Sequence, residues 1–248
     1  MEWSNPKMAT WASLQLVCIN KIFMTPSLTS VSSTEENYLK AIFKLSEKKD
    51  ESVSTNAIAA QMETSAASVT DMLKRLSEKE FIHYEKYRGV RLTDTGREIA
   101  THLIRSHRLW ETFLVDKLAF SWHEVHPMAE QLEHIKSEEL VNRLEEFLGF
   151  PKFDPHGDPI PDKEGNFNYH DQVLMSELGI GQHGVIVGVK DHTASFLRYV
   201  EQLQLILGTP IQILDRFEYD QSVKIKINET IDQIITHKVS NNLYVSLT

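Results

Sequence analysis

Three features of the 248-residue sequence predict a mainly α protein with a C-terminal β domain. From Thr34 to Gly149, apolar residues recur at helical spacing, with capping residues between the runs. Within that stretch, two short helical patterns separated by a tight break are followed by alternating apolar positions around a Gly-containing turn. From Met175 the pattern changes to short β-rich runs. The 41% hydrophobic and 25% charged content is ordinary for a globular chain, and the length leaves room for one to three domains.

Each element has a local reason. Residues 1–33 read as a disordered leader. Trp11–Met24 is moderately apolar but is interrupted by Ser13, Gln15 and Asn20. No small-residue cleavage site follows, so an unstructured leader, or translation from an upstream start with the natural one at Met24, is a better reading than a signal peptide. Thr34 is the expected N-cap of a first helix, with Glu35 and Glu36 in its first turn and Tyr38, Leu39, Ile42, Phe43 and Leu45 as its stripe. The polar run Glu47–Ser52 ends it. Ser54-Thr55-Asn56 opens a short helix, and Ser65 caps the next, which buries Val69, Met72, Leu73 and Leu76. That pair is a helix-turn-helix. The alternation over Phe81–Thr93 is a hairpin with a basic tip, and a hairpin in this position is a wing. A long helix is expected from near Arg97 to about Leu118. Pro127 suits the first turn of another, running to about Lys136, and Ser137 caps one that ends at Gly149.

Residues 151–176 have the proline- and glycine-containing composition of a loop and linker. Strands are expected at 184–189, 210–214, 222–227, 231–237 and 243–247, with one helix near 194–204, which suggests a small SH3-like barrel. The resulting division is leader 1–33, winged helix-turn-helix 34–96, a helical domain 97–161, linker 162–176 and barrel 177–248.

The net charge of −9 argues against a wholly basic coat, but residues 65–108 hold nine Lys/Arg against six Asp/Glu. A phosphate-facing surface therefore belongs to the first half, and the acidic groups lie mostly elsewhere. Ser65, Ser68 and Thr70 are short polar groups able to approach bases or phosphates, while Lys74, Arg75 and Arg88 suit phosphate oxygens. The bland alternative is that these cations merely solubilise a helix. A single cysteine, Cys18, excludes a disulfide framework or a thiolate-rich metal site. No run is long enough to span a membrane.

The remaining signal is a set of hard-metal ligands. His107 and Glu111 are four apart. His126 is followed by Glu130, Glu133 and His134, three residues that share one helix face if the helix continues. Asp154 and His156 follow in FDPHGDPIP. Carboxylates and imidazoles without a thiolate suit manganese or ferrous iron. The competing reading is a solvated charged face, or for His107 and Glu111 a plain surface pair. A metallohydrolase is the enzyme alternative, but no HExxH occurs and a winged helix is superfluous to it, so no enzyme is expected.

Taken in order, the strings EENYLKAIFKL, SVTDMLKRLSEKEFIHYEKYRGVRLTDTGREIA, SHRLWETFL, VHPMAEQLEHI and PHGDPIP resemble the diphtheria-toxin-repressor and manganese-transport-regulator family. The resemblance covers residues 34–248 and is strongest over 34–161. It implies two metal positions per subunit. The primary one would use Glu130, Glu133, His134 and the residue at Asn37, where an aspartate is usual. The second would use His107, Glu111, Asp154, His156 and Asp191, with His126 as an assistant and His192 as an alternative to Asp191. Lys40 stands where some members carry another carboxylate, and is expected to face solvent or phosphate. Glu130 stands where iron-type members have cysteine, which favours Mn2+ with Fe2+ as the alternative. The resemblance further implies a cytoplasmic homodimer on a palindromic double-stranded DNA operator, with no membrane partner. Leu114, Leu118, Leu144 and Phe147 are the expected dimer surface. A winged-helix regulator answering a non-metal ligand is the rival reading.

Overall fold

A computed structural model describes residues 31–46, 52–85, 88–169 and 171–247. The expected leader over residues 1–30, the polar run 47–51 and the hairpin-tip residues Lys86 and Tyr87 lie outside them. Helix α1 spans Ser33–Ser46. Its cap is Ser32, not Thr34. Ser32 Oγ accepts from the Glu35 amide at 3.3 Å, and Glu35 Oε2 accepts from the Ser32 amide at 2.9 Å, a reciprocal capping box. Val31, placed in the leader by composition, is only 1% exposed and belongs to the core.

Helices α2 (Thr55–Gln61) and α3 (Ala66–Glu78) begin at the caps Ser54 and Ser65. Strands β1 (Ile82–Glu85) and β2 (Gly89–Leu92) pair antiparallel and form the wing. Helix α4 runs Asp94–Leu118, three residues earlier at its start than expected, because the Thr93 hydroxyl caps it by accepting from the Gly96 amide. Gly96 is required there: a Cβ would lie 2.0 Å from the Phe81 carbonyl oxygen. Leu39, Ile42 and Phe43 of α1, Ile58 of α2, Val69, Leu73 and Leu76 of α3, and Ile99 and Ile104 of α4 close one core. Each fully buried aliphatic contributes about 1.5–3 kcal/mol, so the first half of α4 is part of this module rather than a neighbour of it.

Helix α5 covers Val125–Leu132 and α6 covers Glu138–Phe147. Both pack on the second half of α4. Leu109 meets Val141 and Leu144, and Leu114 meets Val125 and Ala129. Leu114 and Leu144 are therefore interior residues, which corrects their expected place on a dimer surface. Leu118 and Phe147 remain 53% and 63% exposed. Helix α5 stops at Leu132 rather than Lys136, with Glu133 as its C-cap.

The C-terminal unit is a six-stranded antiparallel sheet in the order β3-β8-β4-β5-β6-β7. Its strands are β3 (Val173–Leu174), β4 (His183–Val189), β5 (Pro210–Arg216), β6 (Val223–Ile227), β7 (Ile231–Ile235) and β8 (Leu243–Leu247). Helix α7 (Ala194–Gln202) covers a core of Met175, Ile186, Leu197, Val200, Ile213, Ile225 and Val245. The short β3 was not anticipated, and β7 ends at Ile235 because Thr236 caps a turn of helix, α8 (His237–Ser240). The segment before β3 is packed rather than free: Phe167 stacks on Phe43 with ring centroids 5.6 Å apart. The sheet also docks on the loop 153–159. The Val189 amide donates to the His156 carbonyl at 3.0 Å, and Gly157 lies so close that a Cβ would meet Val187 O at 2.0 Å.

Candidate metal centre

Helix α4 presents His107 and Glu111 one turn apart on its buried face, 4% and 2% exposed. His107 Nε2 is 3.1 Å from Glu111 Oε1 and 3.1 Å from His126 Nδ1, and His126 Nδ1 is 3.0 Å from the same Glu111 oxygen. The loop after α6 supplies the opposite wall. Asp154 Oδ1 accepts from the amides of His156 and Asp158 at 2.8 and 3.0 Å, a local turn that fixes the direction of His156. His156 Nδ1 then lies 3.7 Å from Glu111 Oε2. Two groups result, His107–Glu111–His126 and Glu111–Asp154–His156, each with one donor atom per residue inside 4.8 Å. Glu111 belongs to both.

The residues fit a cation. His156 Nε2 faces the Trp122 carbonyl at 3.2 Å, so that nitrogen donates and Nδ1 is the one turned to the carboxylates. Nδ1 is buried and has no hydrogen-bond partner among the described residues. A buried polar atom in that condition needs an explanation. Its 3.7 Å separation from Glu111 Oε2 is too long for a hydrogen bond, yet suits two donors sharing one ion at about 2.0–2.2 Å from each.

Electrostatics agree with that fit. Burial pushes Glu111 up, but His107, His126 and His156 outweigh it and hold the carboxyl well below its ordinary range. Burial pushes the His107 imidazole down, and Glu111 and Glu133 more than restore it. Burial, reinforced by Asp158 and Glu111, raises Asp154 to about 7 against the pull of Arg108. His156 is penalised by burial but raised to about 9 by Glu111 and Asp154. Without an ion the cluster therefore keeps protons that a metal would replace. Arg108 steadies the loop: Nε is 3.6 Å from Asp154 Oδ2, Nη2 is 3.1 Å from Asp158 Oδ2, and Nη1 donates to the Pro159 carbonyl. Neither Arg108 nor Asp158 was singled out from sequence, although Arg108 directly follows His107 in SHRLWE.

The expected primary set behaves differently. The side chains of Glu130, Glu133 and His134 go to three different partners rather than to one centre. Glu130 has a side chain 55% exposed and pairs with His126 Nε2 at 3.4 Å. Glu133 is buried against Lys40, whose Nζ is 2.7 Å from Oε2, and against His107 Nδ1 at 2.5 Å. His134 Nδ1 is 2.6 Å from Glu36 Oε2. Asn37 lines an open groove with Lys40, His126 and Glu130. Lys40 is 8% exposed, which corrects its expected place toward solvent or phosphate. Burial pushes Glu133 up, and the His107 and Lys40 contacts bring its pKa below the ordinary value. Glu36 was missed as a partner; its sign in the sequence was its place one turn before Lys40 in EENYLK. Asp191 is in neither group. It accepts from the Thr193 amide at 2.9 Å at the start of α7, while its neighbour His192 lies beside His156 with ring centroids 5.4 Å apart.

On the opposite end of the first module, Ser65, Ser68, Lys74 and Arg75 are exposed along α3 and Thr70 is half-buried. Ser65 Oγ is engaged as the cap of α3, and Thr70 Oγ1 donates to the Ala66 carbonyl at 2.8 Å. Lys74 pairs loosely with Asp71 at 3.3 Å, and Arg88 with Glu85 at 3.1 Å on the wing. These exposed pairs are worth little, so both cations are available to phosphate. Among the described residues no helix is long and apolar enough to cross a membrane.

Comparison with known proteins accounts for all three parts. Residues 30–90 match the iron dependent repressor N-terminal DNA binding domain, 93–162 the iron dependent repressor metal binding and dimerisation domain, and 173–247 the FeoA domain. The iron-dependent repressor IdeR of Mycobacterium tuberculosis is 30% identical over 189 residues, covering 76% of this chain and 73% of the relative. A solved manganese-dependent transcriptional repressor in complex with manganese superposes with a TM-score of 0.75 at 31% identity, over 86% of this chain and all of that one. The manganese regulator SloR gives 0.66 at 32% identity, over 86% and 98%. On domain order, ligand cluster and similarity alike, the chain belongs to the diphtheria-toxin-repressor and manganese-transport-regulator family of metal-dependent transcriptional regulators.

Proposed function

We propose that this protein is a metal-dependent DNA-binding transcriptional repressor, activated by Mn2+ or Fe2+, that acts as a homodimer on a palindromic operator controlling metal uptake. The carrying observation is the buried His107–Glu111 pair on α4, the same helix whose first half closes the core of the winged module. One module reads one half-site, so two-fold symmetry is what places two α3 helices in successive major grooves. The exposed Leu118 and Phe147 offer an apolar surface for the second copy.

The chain's own residues divide the work. Glu111, His126, Asp154 and His156, with His107, would hold one ion. Glu130, Glu133, His134 and Asn37 would hold another once their present partners are exchanged. His192, beside His156, stands at the edge of the first of these, and Asp191 is its sequence neighbour. The ion supplies positive charge at a buried carboxylate cluster. Metal that binds the DNA-competent arrangement more tightly shifts the population toward it by its differential affinity and no more. Glu130, an oxygen donor where iron-type relatives carry cysteine, favours manganese.

The test is a DNA-binding titration with manganese, ferrous iron, zinc and chelator alone. Metal-stimulated binding is expected, and Glu133→Ala or His134→Ala should abolish it with the fold intact. Equal DNA binding in chelator and in metal would instead favour a regulator answering a non-metal ligand.

A further inference from the structure

Lys40 is a lysine whose charge is spent inside the protein. Its Nζ donates to both oxygens of Glu133, at 3.0 and 2.7 Å, and lies 3.4 Å from His107 Nδ1. Lys40 and Glu133 are 8% and 3% exposed. A carboxylate so deeply placed needs a counter-charge, since removal of one partner of a buried pair leaves the other uncompensated. We propose that Lys40 is a resident cation: in the metal-free protein its ammonium takes the position at Glu133 that a metal ion takes when bound. The metal recruits Glu133 only by displacing Lys40, so Lys40 sets the concentration at which that happens. This rests on Glu133 being a metal ligand, as proposed above.

Two further observations support the exchange. Lys40 belongs to α1 and Glu133 to the end of α5, so the ammonium links the same two elements that a metal would link. Lys40 also lines an open groove shared with Glu63, Met62 and Glu130, which gives a displaced ammonium both water and a carboxylate to turn to. A lysine has three donors on a flexible stem and no fixed fork, which suits a contact that is made and released.

The experiment uses the full chain carrying Glu111→Ala, which removes the residue common to both converging groups, and compares Lys40→Met, Lys40→Gln and Lys40→Arg. Two quantities are read: the thermal midpoint in chelator, and Mn2+ affinity by competition with a fluorescent chelator. Lys40→Met and Lys40→Gln are expected to lower the metal-free midpoint by about 5 °C or more and to tighten Mn2+ binding roughly tenfold. Lys40→Arg should keep the parent midpoint. Unchanged or weaker Mn2+ binding in both neutral variants, or an unchanged midpoint in chelator, overturns the proposal. Glu133→Gln in the same background separates the two levels: if it leaves Mn2+ affinity unaltered, the assignment of Glu133 as a ligand fails, independently of Lys40.

Discussion

The two ligand sets differ in what their side chains do without an ion. Around Glu111 the donors converge: two carboxylates and three imidazoles from α4, α5 and the loop 154–156 aim at shared points, and one imidazole nitrogen has no other partner among the described residues. Around Glu133 the donors are dispersed among protein partners, Glu133 to Lys40, His134 to Glu36 and Glu130 to His126. The difference follows from what fixes each set. His107 and Glu111 sit mid-helix, where backbone hydrogen bonds on both sides hold the register, and the Asp154 turn is locked by Arg108. Glu133 and His134 sit at the C-terminal end of a short helix, where side chains of α1 and α4 engage them. A preorganised set needs only to exchange protons for metal, whereas a dispersed set must first give up ion pairs.

The most severe way to break this contrast is Glu111→Ala. Because Glu111 belongs to both converging groups, its loss should remove metal from that half entirely, with affinity lowered by more than about 100-fold, while sites relying on Glu133 lose far less. Stoichiometry by elemental analysis after dialysis reads the result, and equal losses at both sites would mean that the two sets are not separable.

Acid should act on the converging set with a definite sign. His156 is raised to about 9 and Asp154 to about 7, so in the metal-free protein both bind protons more tightly than ordinary groups do, and the metal needs them deprotonated. Affinity should therefore rise with pH, by up to about tenfold per unit between 7 and 9 and more steeply below 7, where Asp154 adds a second proton. Isothermal titration in buffers of different ionisation enthalpy counts the protons released. No release at pH 7.5 would contradict the assignment.

The smallest expected effect sharpens the comparison from the other side. Glu130→Cys places a thiolate donor in the dispersed set, which should move its preference from manganese toward iron, cobalt or zinc by about tenfold or less. The order of activating metals in DNA binding is the readout. An unchanged order would mean that residue 130, exposed as it is, contributes no ligand.

Local physics made much of this legible in advance. Ser54, Ser65 and Ser137 cap the helices they were expected to cap, and the His107–Glu111 pairing follows from helical spacing alone. The family resemblance, with its fold and metal-dependent repression, rested on motif order and is supported by the comparisons. What stayed hidden depended on distant partners. Partners on other elements, Lys40 for Glu133 and Glu36 for His134, divide a triplet that spacing alone would unite. Lys40 finds Glu133 from 93 positions away, a contact no window along the chain can show. Asp191 accepts from Thr193 in a turn and is outside both converging groups, and Leu114 and Leu144 are taken into the interior by packing between helices distant in sequence.

Helix α4 has no proline, and after Gly96 no glycine, through Leu118, so along most of its 25 residues it has no joint. In its first half Ile99 and Ile104 are keyed into the winged module; past its middle His107 and Glu111 are keyed into the ligand cluster. Successive residues turn by about 100° and rise about 1.5 Å. The angular phase between the reading head and the cluster is thus stored in a count of residues. One residue inserted between Ile104 and His107 would rotate the two ends out of phase by about 100°, a fault that no adjustment of side chains on either side is placed to absorb. The helix is a keyed shaft.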